Sequence, residues 1–366
     1  MDYLFFITHP AKFHVFRNTI NYLKQNQHNV DILIIKKDIL EELLISEGWN
    51  YCNIFPEGRK INGIPIFISI VYNFIRTIYR LYKWCKGKKY DLFVSSDLLI
   101  ILSSFFKTDS IAITDDDLSI IKKYSIVLSR AKYILAPEIT DLGKFNQKKI
   151  GFNSYKELAY LHPNHFNPNI SVVKDINKNL NPYFVIRLVS LKSWHDGNKN
   201  GLSDLNVLKL IDLLKRYGKV YISSERKLSN ELEKYRLYIK PNFIKHFIYY
   251  SHIFIGDSQS MCSEAALMGV PSFRCNDYKG LISVMNEKDE KYKLSFSYYS
   301  TEFNNMYKDI KKLLQNKNFK NEFLKRKNKM LMDKIDLSKF MNWFFENYPQ
   351  SLLNYKNKLK VNNNFK

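Results

Sequence analysis

Asp257, Ser258, Gln259 and Ser260 stand in a row between an apolar run and a helix-spaced segment, with Glu264 one turn further on. The run at 252–256 fits a buried strand, while 260–268 has helical periodicity with Met261, Ala265 and Met268 on one side. Gly269 falls where a left-handed C-terminal cap belongs, Val270-Pro271 resists continuation of the helix, and 272–274 resumes as a strand. A strand, a tight polar loop and a helix in this order bring unbonded backbone N–H groups to the positive end of a helix dipole, which suits a phosphate or another anion. The same residue types are ordinary N-terminal caps, and the dipole alone favours a glutamate early in a helix. Spacing leaves both readings standing.

A second set of reactive side chains lies in the first half of the chain. Asp97 follows the strand-like run 90–95, Asp115 and Asp116 follow another at 110–114, and His9 follows the opening run 2–8. In parallel sheets ligands gather at the carboxyl ends of strands. Carboxylates at adjacent strand ends therefore face one crevice, where tuned Asp side chains serve as general acid and base; capping the next helix is the other common use of Asp there. In the second half, Arg187 lies in the run 183–189, just ahead of SLKSWHDGNKNG with its Lys192, His195 and Asp196. Asp196-Gly197, Asn198 and Gly201 also make good turn chemistry. Asp115-Asp116-Asp117 carries the spacing of a metal-binding pair, but helix N-termini with Arg or Lys suffice to neutralise a diphosphate. No metal ion and no other cofactor is expected. Cys52, Cys85, Cys262 and Cys275 stand far apart, without metal-ligand spacing.

The elements that must hold these groups alternate in type. A strand at 2–8, a helix over 13–25 and a strand at 29–35 open the chain, and strands alternating with helices imply a parallel sheet covered on both faces. The second half repeats the pattern from 183 onward, with helices at 205–217 and 230–235 and a strand at 219–223. At 366 residues the chain has room for two domains, each with its own core. Their expected bounds are 1–165 and 183–350, with an Asn- and Pro-rich linker at 166–182 and a basic tail at 351–366, frayed from 354 onward.

Composition narrows the partners. With 57 Lys and Arg against 35 Asp and Glu, the formal net charge is +22. The cations are scattered and no named nucleic-acid motif is present, so nucleic acid is the weaker partner. An anionic membrane surface would account for the excess of cations, as would a merely solvated basic surface. Residues 64–89 are the nearest approach to a membrane segment, but the apolar run is shorter than the roughly 20 residues a span requires. Tyr, Phe and Trp beside Arg and Lys suit an interfacial membrane helix, or equally an amphipathic helix packed on the sheet. Isolated cysteines and the lack of a signal peptide point to the cytoplasm, with a peripheral position on the inner face of the cell membrane if the helix is interfacial.

Asp257-Ser258, Glu264-Ala265-Ala266 and Leu267-Met268-Gly269-Val270-Pro271 resemble the sugar-nucleotide loop of the GT-B superfamily. The nearest likeness is to the non-hydrolysing UDP-N-acetylglucosamine 2-epimerases and to an uncharacterised family related to them. His9-Pro10, His14, His28 and the stretch Gly151-x-x-x-Tyr155-Lys156-Glu157-Leu158-Ala159-Tyr160-Leu161 are shared with the latter. The resemblance implies an α/β fold of two Rossmann-like, doubly wound domains facing across a cleft, with a late helix crossing back onto the first. It implies phosphate contact for Ser258, a ribose role for Glu264 and proton chemistry for Asp97 and one of Asp115 or Asp116. His195 becomes a proton donor or phosphate contact, and His9, Arg187, Asp257, Gln259 and Ser260 line the substrate site. Gln259 and Ser260 stand where the epimerases have two glycines. The function expected is a nucleotide-sugar-dependent glycosyltransferase of surface polysaccharide or glycoconjugate assembly, taking a nucleotide sugar and a glycan or lipid-linked acceptor. The alternatives are a 2-epimerase-like enzyme and a non-catalytic basic protein that binds glycan, lipid or nucleic acid.

Overall fold

Near-continuous apolar runs form strands where both faces of a sheet are covered, and the strands among the described residues lie in two separate parallel sheets. The computed structural model describes residues 1–59, 65–190, 200–356 and 365. The chain divides into two units, 1–160 with 335–366, and 161–334.

In the first unit the strands are β1 (Asp2–Ile7), β2 (Asn29–Ile34), β3 (Cys52–Asn53), β4 (Leu92–Ser95), β5 (Asp109–Ile113), β6 (Tyr133–Pro137) and β7 (Lys149–Phe152). They lie in the order β3-β2-β1-β4-β5-β6-β7, all parallel. Alternation along β1 sorts its side chains between two cores. Tyr3, Phe5 and Ile7 join Phe13, Phe16 and Ile20 of the helix Pro10–Gln25 on one face. Leu4 and Phe6 join Leu81, Cys85 and Leu99 on the other. Each such burial contributes about 1.5–3 kcal/mol against the entropy of ordering the chain.

The helix Leu337–Glu346 belongs to this first unit. Phe340, Phe344 and Phe345 complete the core beside Pro10–Gln25, and the Tyr3 hydroxyl donates to the Phe345 carbonyl at 2.7 Å. In its described part, 350–356 and 365, the end of the chain differs from a frayed tail. Gln350–Lys356 is helical, Leu352 is buried, the Gly151 N–H donates to the Tyr355 hydroxyl at 2.8 Å, and Phe365 packs on Phe340 and Trp343. Leu352, Tyr355 and Phe365 stand among Lys and Asn without periodicity, yet each finds a partner earlier in the chain.

The second unit holds β8 (Tyr183–Leu188), β9 (Lys219–Ser224), β10 (Ile253–Gly256), β11 (Ser272–Cys275) and β12 (Ser295–Tyr298), parallel and ordered β12-β11-β10-β8-β9. Phe184, Ile186, Ile253, Ile255 and Phe273 pack against Val207, Leu210 and Ile211 of the helix Asp204–Leu214. This unit begins at Leu161 rather than after a linker. Residues 166–182 include the helix Ser171–Ile176, whose Val172 and Val173 are buried, because two adjacent valines anchor an otherwise polar segment.

Candidate functional site

In the second unit the order of strands reverses between β10 and β8, so the loops leaving their carboxyl ends diverge and open a crevice. Gly256 and Arg187 are register partners there. A Cβ on Gly256 would lie 2.6 Å from the Arg187 carbonyl oxygen, so only glycine lets the two strands close up at this point. Asp257 and Ser258 follow directly, and the helix is Gln259–Leu267. Ser258 is its N-cap: the hydroxyl oxygen accepts from the Met261 N–H at 3.3 Å. That leaves the hydroxyl proton available to donate outward. The first-turn N–H groups of Gln259 and Ser260 have no intrahelical acceptor. Capping and anion binding are thus compatible here, since the Ser258 oxygen serves the helix as an acceptor while its hydroxyl can still donate. Gly269 ends the unit of structure in the left-handed conformation, φ +83°, as its position in the sequence predicts.

Asp257 is 1 % exposed. Its Oδ1 accepts from the Val189 N–H at 2.7 Å, which ties the loop after β8 to the loop after β10, while Oδ2 has no hydrogen-bond partner among the described residues. Burial lifts the carboxyl from 3.8 to about 6, partly opposed by the Val189 N–H and Arg226. Both polar atoms of the Gln259 amide are likewise buried and unpartnered among the described residues. Ser260 is exposed. Glu264 is buried with its Oε1 4.0 Å from the Lys245 ammonium. Arg187 points towards β9: Nη1 donates to Ser223 at 2.8 Å, Nη2 pairs with Glu225, and Nε is buried without a partner among the described residues. His195, with Lys192 and Asp196, lies outside the described residues.

Two residues of this region carry no signal in the sequence. Asn276, at the end of β11, donates to the Asp257 carbonyl at 2.8 Å and holds the loop from behind. Lys245 supplies the charge facing Glu264. Neither belongs to a local motif; both act through residues remote in sequence.

In the first unit the order reverses between β1 and β4. His9 caps the helix Pro10–Gln25, its Nδ1 accepting from the Ala11 N–H at 3.1 Å, so the ring proton sits on Nε2. Loss of hydration, followed by Lys37, lowers its pKa to about 4, and the ring is neutral at pH 7. Asp97 caps the turn after β4, accepting from the Leu98 N–H at 2.7 Å. Burial raises its pKa against the pull of that N–H, of Thr8, which follows β1, and of Arg59 and Lys12.

The three aspartates after β5 divide their work. Asp115 is buried in an ion pair with Lys156, Nζ to Oδ2 2.7 Å. Asp117 accepts from the Asp141 N–H at 2.7 Å and fixes the neighbouring loop. Asp116 lies between them with its pKa raised, by burial first and then by the charge of Asp115. Burial works against the charge of Lys156, but Asp115, Glu157 and Asp116 more than offset it and raise its pKa; Lys12 is lowered by burial with Asp115 opposing. Tyr124 feels both Asp97 and Asp116, so the two carboxylates belong to one electrostatic neighbourhood. Lys12 and Lys156 are the cations that make this cluster tolerable, a pairing invisible until β1, β5 and β7 are brought into one sheet. Two carboxylates raised above the ordinary range, at strand ends of the sheet that also carries neutral His9, are suited to holding and moving protons.

No family model and no curated protein matches the sequence. Solved structures do match it along its length. S. aureus MnaA, in a co-structure with UDP, superposes with TM-score 0.66 at 12% identity, covering 97% of this chain and 98% of its own. The UDP-GlcNAc 2-epimerase of Neisseria meningitidis bound to UDP-GlcNAc gives TM-score 0.62 at 12% identity, covering 96% and 100%. The spinosyn rhamnosyltransferase SpnG, complexed with spinosyn aglycone, gives 0.59 at 9% identity, covering 95% and 100%. The fold, two Rossmann-like parallel-sheet domains of GT-B type, is the one these epimerase and rhamnosyltransferase structures have.

Proposed function

We propose that the chain is a nucleotide-sugar enzyme whose second unit binds a uridine diphosphate sugar through the loop after β10 and whose first unit supplies the acid and base. The observation that carries this reading is the loop itself. At a topological switch point it presents a capping serine whose hydroxyl can still donate, two first-turn N–H groups without an intrahelical acceptor, and a buried Asp257 oxygen and Gln259 amide with no partner among the described residues. Unpartnered buried polar atoms cost about 1–3 kcal/mol each, a cost a polar ligand removes. The neighbours solved with UDP or UDP-GlcNAc share the fold at low identity and support the choice of nucleotide.

Within that class the reading is glycosyl transfer, with Asp97 or Asp116 as base towards an acceptor hydroxyl. Gln259 and Ser260 begin the helix with side chains where the epimerases have glycines. Epimerisation is the second reading, favoured by the pair of raised carboxylates Asp97 and Asp116, since removing and returning a proton needs both. Calorimetry with UDP tests the shared premise. Binding is expected, and Glu264→Ala should weaken it by about 1–3 kcal/mol, the scale of hydrogen bonds to a charged group. No binding by the wild type, or unchanged affinity in the variant, would remove the donor assignment.

A further inference from the structure

The helix Ile66–Cys85 packs by only part of its circumference. Thr77, Leu81 and Cys85 are buried, and Arg76 and Arg80 fold inward to Glu57 with their guanidinium groups over the Phe55 ring, 5.0 and 4.5 Å from its centroid. The opposite stripe is apolar and exposed. Ile68, Val71, Tyr72, Ile75 and Tyr79 recur at helical spacing, with Ile75 60% and Tyr79 63% exposed. Phe105, also exposed, reaches the helix through Tyr82, ring centroids 5.1 Å apart. Scattered surface hydrophobes are ordinary, but a continuous stripe of large ones marks a surface that something covers.

Charge says what covers it. Segments 66–89, 98–108 and 118–136 on this face of the first sheet contain no Asp or Glu; the face also takes in Ile54, Phe55, Leu142 and Phe145, near Glu57 and Asp141. Lys83 and Lys86 continue the stripe at the C-terminal end of the helix, Lys89 follows, and Lys107, Lys122 and Lys123 stand exposed on the neighbouring segments. Lys88 lies over the Trp84 ring at 3.5 Å. Glu57, which faces the helix, is already held by Arg76 and Arg80. Apolar side chains flanked by lysines, with Tyr and Trp at the boundary, match the acyl boundary and phosphate layer of a bilayer. Among the described residues no helix is long and apolar enough to cross a membrane, so the helix would lie in the interface plane.

We infer that this face docks the protein on an anionic lipid bilayer. The stripe enters the headgroup boundary, and the lysines around it meet lipid phosphates. The inference stands apart from the nucleotide assignment, since it uses none of the same residues. Flotation of the full chain tests it, with vesicles of phosphatidylcholine alone and of equal parts phosphatidylcholine and phosphatidylglycerol, at low and high salt. Binding is expected to the anionic vesicles only, falling as salt rises. Ile75→Asp and the pair Lys83→Glu with Lys86→Glu should each reduce the bound fraction roughly tenfold or more, with unfolding midpoints unchanged because these side chains are exposed. No flotation on either vesicle, or flotation that ignores lipid charge and both variants, overturns the inference. Loss of a sedimenting oligomer in Ile75→Asp, without flotation of the wild type, also overturns it and makes the face an interface between protein chains.

Discussion

Asp257 carries its charge at a cost to the fold. Its carboxyl titrates near 6 in the native chain against 3.8 ordinarily, so between those values the native state holds a proton that the unfolded state has released. Stability therefore falls as pH rises from about 4 to about 6, and the full loss, about 2–3 kcal/mol, is present at pH 7. Asp257→Asn keeps the oxygen that accepts from Val189 and removes the ionisation. Denaturant unfolding at pH 4 and pH 7 should show the variant gaining on the wild type by roughly that amount as pH rises; equal pH dependence in both would show that this carboxyl is not the one resisting ionisation. A buried acid retained against stability is what a binding or catalytic role looks like thermodynamically. The residue itself was legible from its place between strand and helix. Its burial was not, because that depends on Val189 and Asn276 closing over it from other strands.

At the scale of elements, what could be read were segments whose signals are local. The apolar runs of β1, β2, β8 and β10 announce strands buried on both faces, and Ser258 with Gly269 brackets a helix by chemistry at its two ends. The segment Gln350–Lys356 shows the limit. Its helix exists because Leu352 and Tyr355 find the first unit's core and the Gly151 N–H, partners some two hundred residues away that no window contains. Leu352→Ala should accordingly destabilise the protein by about 2–4 kcal/mol, the range for a buried leucine leaving a cavity. A loss below about 0.5 kcal/mol, as at an exposed site, would return the segment to the frayed tail that its composition suggests. Chemical denaturation read at several wavelengths would also show whether the loss is confined to one transition, as expected for a contact within a single unit.

The whole chain is threaded so that its last helices complete its first sheet, leaving 161–334 as an uninterrupted second unit. The alternation of strands and helices shows two parallel-sheet domains in the sequence. It does not choose between the two proposed reactions, because transfer and epimerisation use the same fold and the same residue types. The proton at C2 of the sugar separates them. An epimerase must remove and return it, so incubation with UDP-N-acetylglucosamine in deuterated water would label that carbon with no acceptor present. A transferase leaves it alone and releases UDP only when an acceptor is supplied. No labelling is expected, with acceptor-dependent release of UDP. Asp97→Asn or Asp116→Asn should reduce that release by roughly 10²–10⁴-fold while UDP binding persists, since general base catalysis contributes on that scale. The raised pKa values of both groups place the acid limb of kcat/KM above the ordinary carboxylate range, with activity lost as pH falls and the base takes up its proton. Labelling at C2 that disappears in Asp97→Asn would reverse the choice in favour of epimerisation, and then the side chains of Gln259 and Ser260 at the head of the helix would have to be compatible with the diphosphate after all.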